Sequence, residues 1–92
     1  MKYYDWDEKK NELLKQVRGV SFEQVVLAIE LGELVDRVKH PNPARYPHQK
    51  VFLVNIEDYI YSVPYIEDND KIFLKTIIPN RKATKKYLGG KK

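Results

Sequence analysis

Val20-Ser21-Phe22-Glu23-Gln24-Val25-Val26-Leu27-Ala28-Ile29 is the stretch from which the fold can be read outward. Ser21 suits a helix N-cap, because its hydroxyl oxygen can accept from the main-chain N–H three residues on. Gln24, at that third position, can reach back to the N–H of Ser21 and close a capping box. Val20 and Val25 supply the hydrophobic staple that fixes how the chain enters the helix. Phe22, Val25, Val26 and Ile29 recur at i, i+3, i+4 and i+7, with Ala28 close by, which predicts an amphipathic helix lying on the core face of a sheet and stopped by Gly32.

Upstream, Tyr3-Tyr4-Asp5-Trp6 is short and aromatic and suits a strand start, and Asp7 can cap a first helix running to about Arg18. Leu13, Leu14 and Val17 give that helix a narrow apolar stripe, and Gly19 supplies the left-handed residue that ends it. Downstream the period changes. Leu34 to Val38 reads as a strand, and residues 40–48 form a long loop because three prolines deny them regular structure. Gln49 to Ile56, Asp58 to Ile66 and Lys71 to Ile78 then read as three strands of an antiparallel meander, joined at Glu57-Asp58 and at Glu67-Asp68-Asn69-Asp70. Pro64 lacks a ladder donor, so a bulge or an early strand end is expected near Val63-Pro64. Asn80 can cap a short basic helix from Arg81 to about Leu88, closed by Gly89-Gly90, with Lys91-Lys92 frayed. The expected architecture is α+β: an antiparallel sheet with two N-terminal helices and a short basic C-terminal helix.

Ninety-two residues suffice for one domain with a modest core and not for two, so residues 1–92 are read as a single unit. At 42% apolar and 33% charged, the composition is that of a folded chain rather than a disordered one. The lack of cysteine removes disulfides and thiolate metal sites. Acids at Asp5, Asp7 and Glu8 interrupt any secretory stretch, and no apolar run approaches the length of a membrane span, so the cytoplasm is the expected compartment. The formal charge of +4 is unevenly spread. Residues 37–50 carry Arg37, Lys39, Arg45 and Lys50 with no acid, and Arg81, Lys82, Lys85, Lys86, Lys91 and Lys92 follow one another with none either. A nucleic acid or an acidic protein would suit these two segments.

Three blocks carry a family resemblance: Trp6-Asp7-Glu8-Lys9-Lys10-Asn11, Gly19-Val20-Ser21-Phe22-Glu23-Gln24, and Ile78-Pro79-Asn80-Arg81-Lys82-Ala83-Thr84. In this order they resemble the BrnT family of type II toxin-antitoxin toxins. The resemblance implies a RelE-like fold, a metal-independent RNA endonuclease that inhibits translation and growth, and neutralisation by a cognate antitoxin of ribbon-helix-helix type. DNA would then be reached only through that antitoxin. Between the anchors the chain departs from the family's form: in place of an arginine and a glutamate before the second strand it offers Arg45, Tyr46, His48 and Lys50. A non-catalytic binding or corepressor module of the same fold is therefore the alternative reading.

Most residues of the blocks have structural explanations in packing, capping and helix termination. The chemistry must come from elsewhere. Metal-free RNA cleavage needs a proton acceptor, a proton donor and cations around the phosphorane. Imidazole serves naturally as acid or base, and His40 and His48 both fall in the proline-bearing loop, with His48 the stronger candidate. Arg81 matches a family arginine at a strand-to-helix junction, where free main-chain N–H groups also favour phosphate. Lys75, in mid-strand beside Lys71, Phe73 and Ile77 on one face, would stand on an open sheet surface. Arg81, His48 and Lys75 are thus the catalytic candidates, and Arg45, Lys50, Lys82 and Lys85 the candidate RNA or phosphate contacts. Tyr59, Tyr61 and Tyr65 would stack on bases if their face were open, and form packed core if it were not. No ligand spacing suggests a metal, and no motif suggests a cofactor.

Overall fold

The structure, a computed structural model, describes residues 2–89 apart from 41, 43, 46 and 47. All three loop prolines, Tyr46 and the expected closure and fraying at 90–92 therefore lie outside the described residues. The first strand, β1 (Tyr3–Trp6), gives way at Asp7, whose carboxylate accepts from Lys9 N and starts α1 (Glu8–Arg18). Gly19 at φ 70° ends that helix in the left-handed conformation a side chain would strain. Ser21 and Gln24 form both halves of the capping box at the head of α2 (Phe22–Glu30). Ser21→Ala should therefore cost about 0.5 to 2 kcal/mol in urea melts while leaving any RNA-directed activity intact at low temperature.

Beyond α2 come β2 (Leu34–Lys39), β3 (Gln49–Ile56), β4 (Tyr59–Glu67), β5 (Lys71–Leu74), the two-residue β6 (Ile78–Pro79) and α3 (Arg81–Leu88). The fold is α+β, and among the described residues the sheet has six strands in the order β1-β5-β4-β3-β2, with β6 beside β4. One expectation needs correction, because the sheet is mixed rather than antiparallel throughout. The strand β1 pairs with β5 in parallel, Tyr3 opposite Lys71 and Trp6 opposite Leu74. Alternating residues reveal a strand but not its direction, and here the two helices between β1 and the meander let the first strand return to the far edge.

Period-two alternation divides the core between the two faces of the sheet. Phe52, Val54 and Ile56 of β3 and Val63 and Tyr65 of β4 pack with Leu14 of α1 and with Phe22, Val25 and Ala28 of α2. Trp6 stacks on Phe22 at 5.7 Å between ring centroids, and Phe52 on Tyr65 at 3.8 Å. On the other face Val51, Leu53 and Ile60 meet Ala83 of α3, with Tyr87 and Leu88 at the margin.

Pro64 does not end its strand. The β3–β4 ladder runs unshifted from Ile56↔Tyr59 to Gln49↔Ile66. Ladder alternation from the tight turn makes Val51↔Pro64 a non-hydrogen-bonded pair, so the proline's missing donor faces away from β3. The irregularity sits on the neighbouring strand instead. From Tyr65↔Leu74 to Ser62↔Ile78, three steps along β4 are matched by four along its partner, which is a bulge at residues 75–77. Lys75 N there donates to Pro64 O at 2.8 Å. The expected single strand from Lys71 to Ile78 is thus split, and Ile77 turns into the helix-side core with Leu74 rather than sharing a face with Lys75.

The β3–β4 turn has only two residues, Glu57 at φ 52° and Asp58 at φ 64°. Positive φ at both positions is the primed hairpin geometry, which Asn-Gly adopts at far lower cost than Glu-Asp. The double substitution Glu57→Asn with Asp58→Gly should raise stability by about 1 to 2 kcal/mol, measured as a higher urea midpoint with unchanged slope.

Candidate functional site

Asn80 builds the junction at which Arg81 stands. Its side-chain oxygen accepts from Ala83 N at 2.9 Å, its amide donates to Ser62 Oγ at 2.8 Å, and its main-chain N–H donates to Ile60 O at 2.9 Å. One turn later Thr84 Oγ1 accepts from Ile60 N at 2.9 Å and donates to Asn80 O. Both main-chain groups of Ile60 are thereby satisfied by the helix rather than by a strand. Together these bonds fix the first turn of α3 against β4.

Ala83, Tyr87 and Leu88 face the sheet, so Arg81, Lys82, Lys85 and Lys86 are left on the outer side of α3, all exposed. Tyr87 donates to Asp36 Oδ2 at 3.1 Å, which ties the last turn to β2 and pushes the phenol above its ordinary titration range. In the block 78–84, Asn80, Ala83 and Thr84 therefore hold structure. Arg81 and Lys82 enter no ion pair among the described residues.

These two cations stand at the rim of an open groove of about 570 Å³ on the α3 side of the sheet. Its walls and floor are Val38, Val51, Leu53, Pro64, Ile78 and Pro79. Its polar members are His40, Ser62 and Asn80, and no carboxylate lines it among the described residues. Ser62 and Asn80 bond to each other, and the cations in the lining are Arg81 and Lys82, with the His40 imidazole beside them. His40 Nδ1 accepts from Asn42 N at 3.1 Å, so in the neutral ring the proton resides on Nε2.

The other candidates are dispersed. His48 is exposed in the turn just before β3 and does not line the groove. Arg45 lies in the turn at 44–45, its main-chain N–H directed to Asn42 O. Lys50 shares the parity of Phe52 and so belongs to the helix-side face, where its charge helps to keep the Glu67 carboxyl below the usual carboxylate range, after the larger effect of the Lys2 hydrogen bond. Lys75 leaves the sheet at the bulge, with its ammonium 5.7 Å from the Phe73 ring, while Lys71 Nζ lies 5.8 Å from the same ring. Lys85 lies one turn beyond Arg81.

Two of the three tyrosines in the row belong to the core, while Tyr59 is half-buried outside it with its ring 5.4 Å from that of Tyr61. Tyr65 is buried, Tyr61 packs half-buried at the edge of the helix-side core, and burial pushes both phenols up. No cluster of three or more metal-ligating side chains occurs among the described residues, and no helix among them is long and apolar enough to cross a membrane.

Sequence reading ranked His48 above His40, and the groove contains His40. The available signal was parity: Val38 faces the groove from the edge strand β2, and His40 lies two residues on. Comparison of the chain with family models, with characterised proteins and with solved structures gives no match.

Proposed function

We propose that this chain is the toxin of a type II toxin-antitoxin pair, a metal-independent RNA endonuclease neutralised by a cognate DNA-binding antitoxin. The observation that carries the reading is the pair of exposed cations, Arg81 and Lys82, set on the first turn of a pinned helix and lining the same groove as His40, with no carboxylate among its described residues. In this reading the Arg81 guanidinium and the open N–H groups of the α3 first turn hold the scissile phosphate. Lys82 adds charge as the phosphorane develops. His40 Nε2, with the alternative of His48 from the adjoining loop, exchanges the proton of the attacking 2′-hydroxyl or the leaving oxygen. Lys75, Lys85, Arg45 and Lys50 then act at most on flanking nucleotides, since none of them lines the groove.

A second reading has its own support. Among the described residues the groove lining is aliphatic at its floor and carries no aromatic ring for a base to stack on, which suits a non-catalytic binding module that recognises a partner's apolar side chains. Induction of the chain in cells, with and without the neighbouring reading frame, separates the two. Growth arrest relieved by the neighbour, together with cleavage of RNA by the purified chain in the presence of a chelator, is the result expected of the toxin. Undisturbed growth and intact RNA would overturn it in favour of the module.

A further inference from the structure

A second cleft, of about 320 Å³, opens where α2 ends beside the β3–β4 turn, and shares no residue with the groove. Leu27, Ala28 and Leu31 form one wall and Ile56 with Asn55 the other. Scattered exposed leucines are ordinary on a soluble chain. Here, however, Leu27 is 55% and Leu31 70% exposed, one helical turn apart, and both line the same depression. The charge around them is of one sign. Glu33, Glu57 and Asp58 line the cleft with no lysine or arginine among its residues, in a chain whose formal charge is +4.

We propose that this cleft docks a basic segment of a partner protein, anchored by apolar side chains and flanked by lysine or arginine. Charge complementarity selects the sign of the occupant, because a basic segment gains from three carboxylates whereas a nucleic acid is repelled by them. The volume, at the low end of ligand sites, and the open shape suit one or two anchoring side chains of a polypeptide better than an enclosed small molecule. The turn points the same way. Glu57 and Asp58 occupy left-handed conformations in which Asn-Gly would be less strained, so the sequence keeps two carboxylates at the cleft mouth at a cost to the fold. The inference does not depend on RNA cleavage at the groove.

The probe is a synthetic lysine–leucine peptide with leucines one helical turn apart, titrated at low salt into the isotopically labelled full chain. Amide shifts should move at Leu27, Leu31, Glu33 and Asn55 to Asp58, and affinity should fall as salt rises. Leu31→Ser should weaken binding at least about ten-fold, as expected for the loss of one buried leucine anchor. Glu57→Asn with Asp58→Gly should weaken it by about three- to ten-fold while raising the melting temperature, so that loss of binding there cannot be loss of fold. The proposal is overturned if a lysine–serine peptide binds equally well, if Leu31→Ser leaves affinity unchanged, or if the shifts appear at Val51 and Ile78 instead. It is also overturned if the chain alone forms a concentration-dependent dimer that Leu31→Ser abolishes, because the occupant is then a second copy.

Discussion

Asn11→Ala is expected to destabilise the protein by about 2 to 4 kcal/mol, the largest cost of replacing any polar residue of the N-terminal half by alanine. Asn11 is fully buried. Its Oδ1 accepts from Phe22 N at 2.8 Å and its Nδ2 donates to Glu23 Oε1 at 2.8 Å, so a side chain on α1 satisfies the first turn of α2. Alanine removes both bonds and leaves the Phe22 N–H buried without a partner, beside a void in the core. The Nδ2 hydrogen bond is also the chief reason the Glu23 carboxyl titrates below its ordinary range. A depressed folded pKa stabilises the protein above the unfolded value, and that contribution disappears as pH falls through the folded one. The gap between parent and Asn11→Ala in urea melts should therefore be widest near neutrality and narrow in acid. Asn11→Asp keeps the acceptor for Phe22 N but sets a carboxylate against Glu23, so it should be worse than alanine at neutral pH and be partly rescued by adding Glu23→Gln.

That contact shows where sequence reading stops. Ser21, Gln24, Asp7 and Gly19 act on main-chain groups within four residues, and their roles were legible because local hydrogen-bond geometry depends on spacing alone. Asn11 acts eleven residues away and Asn80 reaches Ser62 and Ile60, so each looked like a bland polar residue on a helix or at a cap. Contrary to what its missing donor predicts, Pro64 neither bulges nor ends its own strand; the extra residue of the bulge lies on the neighbouring strand, at 75–77, where Lys75 N donates to Pro64 O. The same bulge undid the alternation that had placed Lys75 in mid-strand.

The candidate site was legible in charge and not in geometry. Arg81 and Lys82 stood out as basic residues within a block whose other members have packing roles, and the fold places both at one groove. Lys50 does not line the groove for a reason of parity: an odd step along β3 sends Val51 to the groove and Lys50 to the opposite face. His48 was favoured for its neighbours in sequence, whereas His40 adjoins the edge strand that walls the groove.

The two histidines and Arg81 give the decisive experiment. Arg81→Ala should lower RNA cleavage by about 100-fold or more and abolish growth arrest, which is the scale seen when a donor to developing charge is removed. Arg81→Lys should recover little, since a point charge lacks the planar pair of donors that grips two phosphate oxygens at once. Both variants should melt within about 0.5 kcal/mol of the parent, because Arg81 is exposed and the helix is held by Asn80, Ala83 and Thr84 instead. The histidine roles then separate by position. If proton transfer occurs in the groove, His40→Ala lowers cleavage by about 100-fold or more while His48→Ala leaves it nearly unchanged; if the loop supplies the group, the order reverses. Parental cleavage by Arg81→Ala and by both histidine variants, all folded, would place RNA chemistry away from this groove and leave its aliphatic floor and cationic rim as a surface for a protein partner.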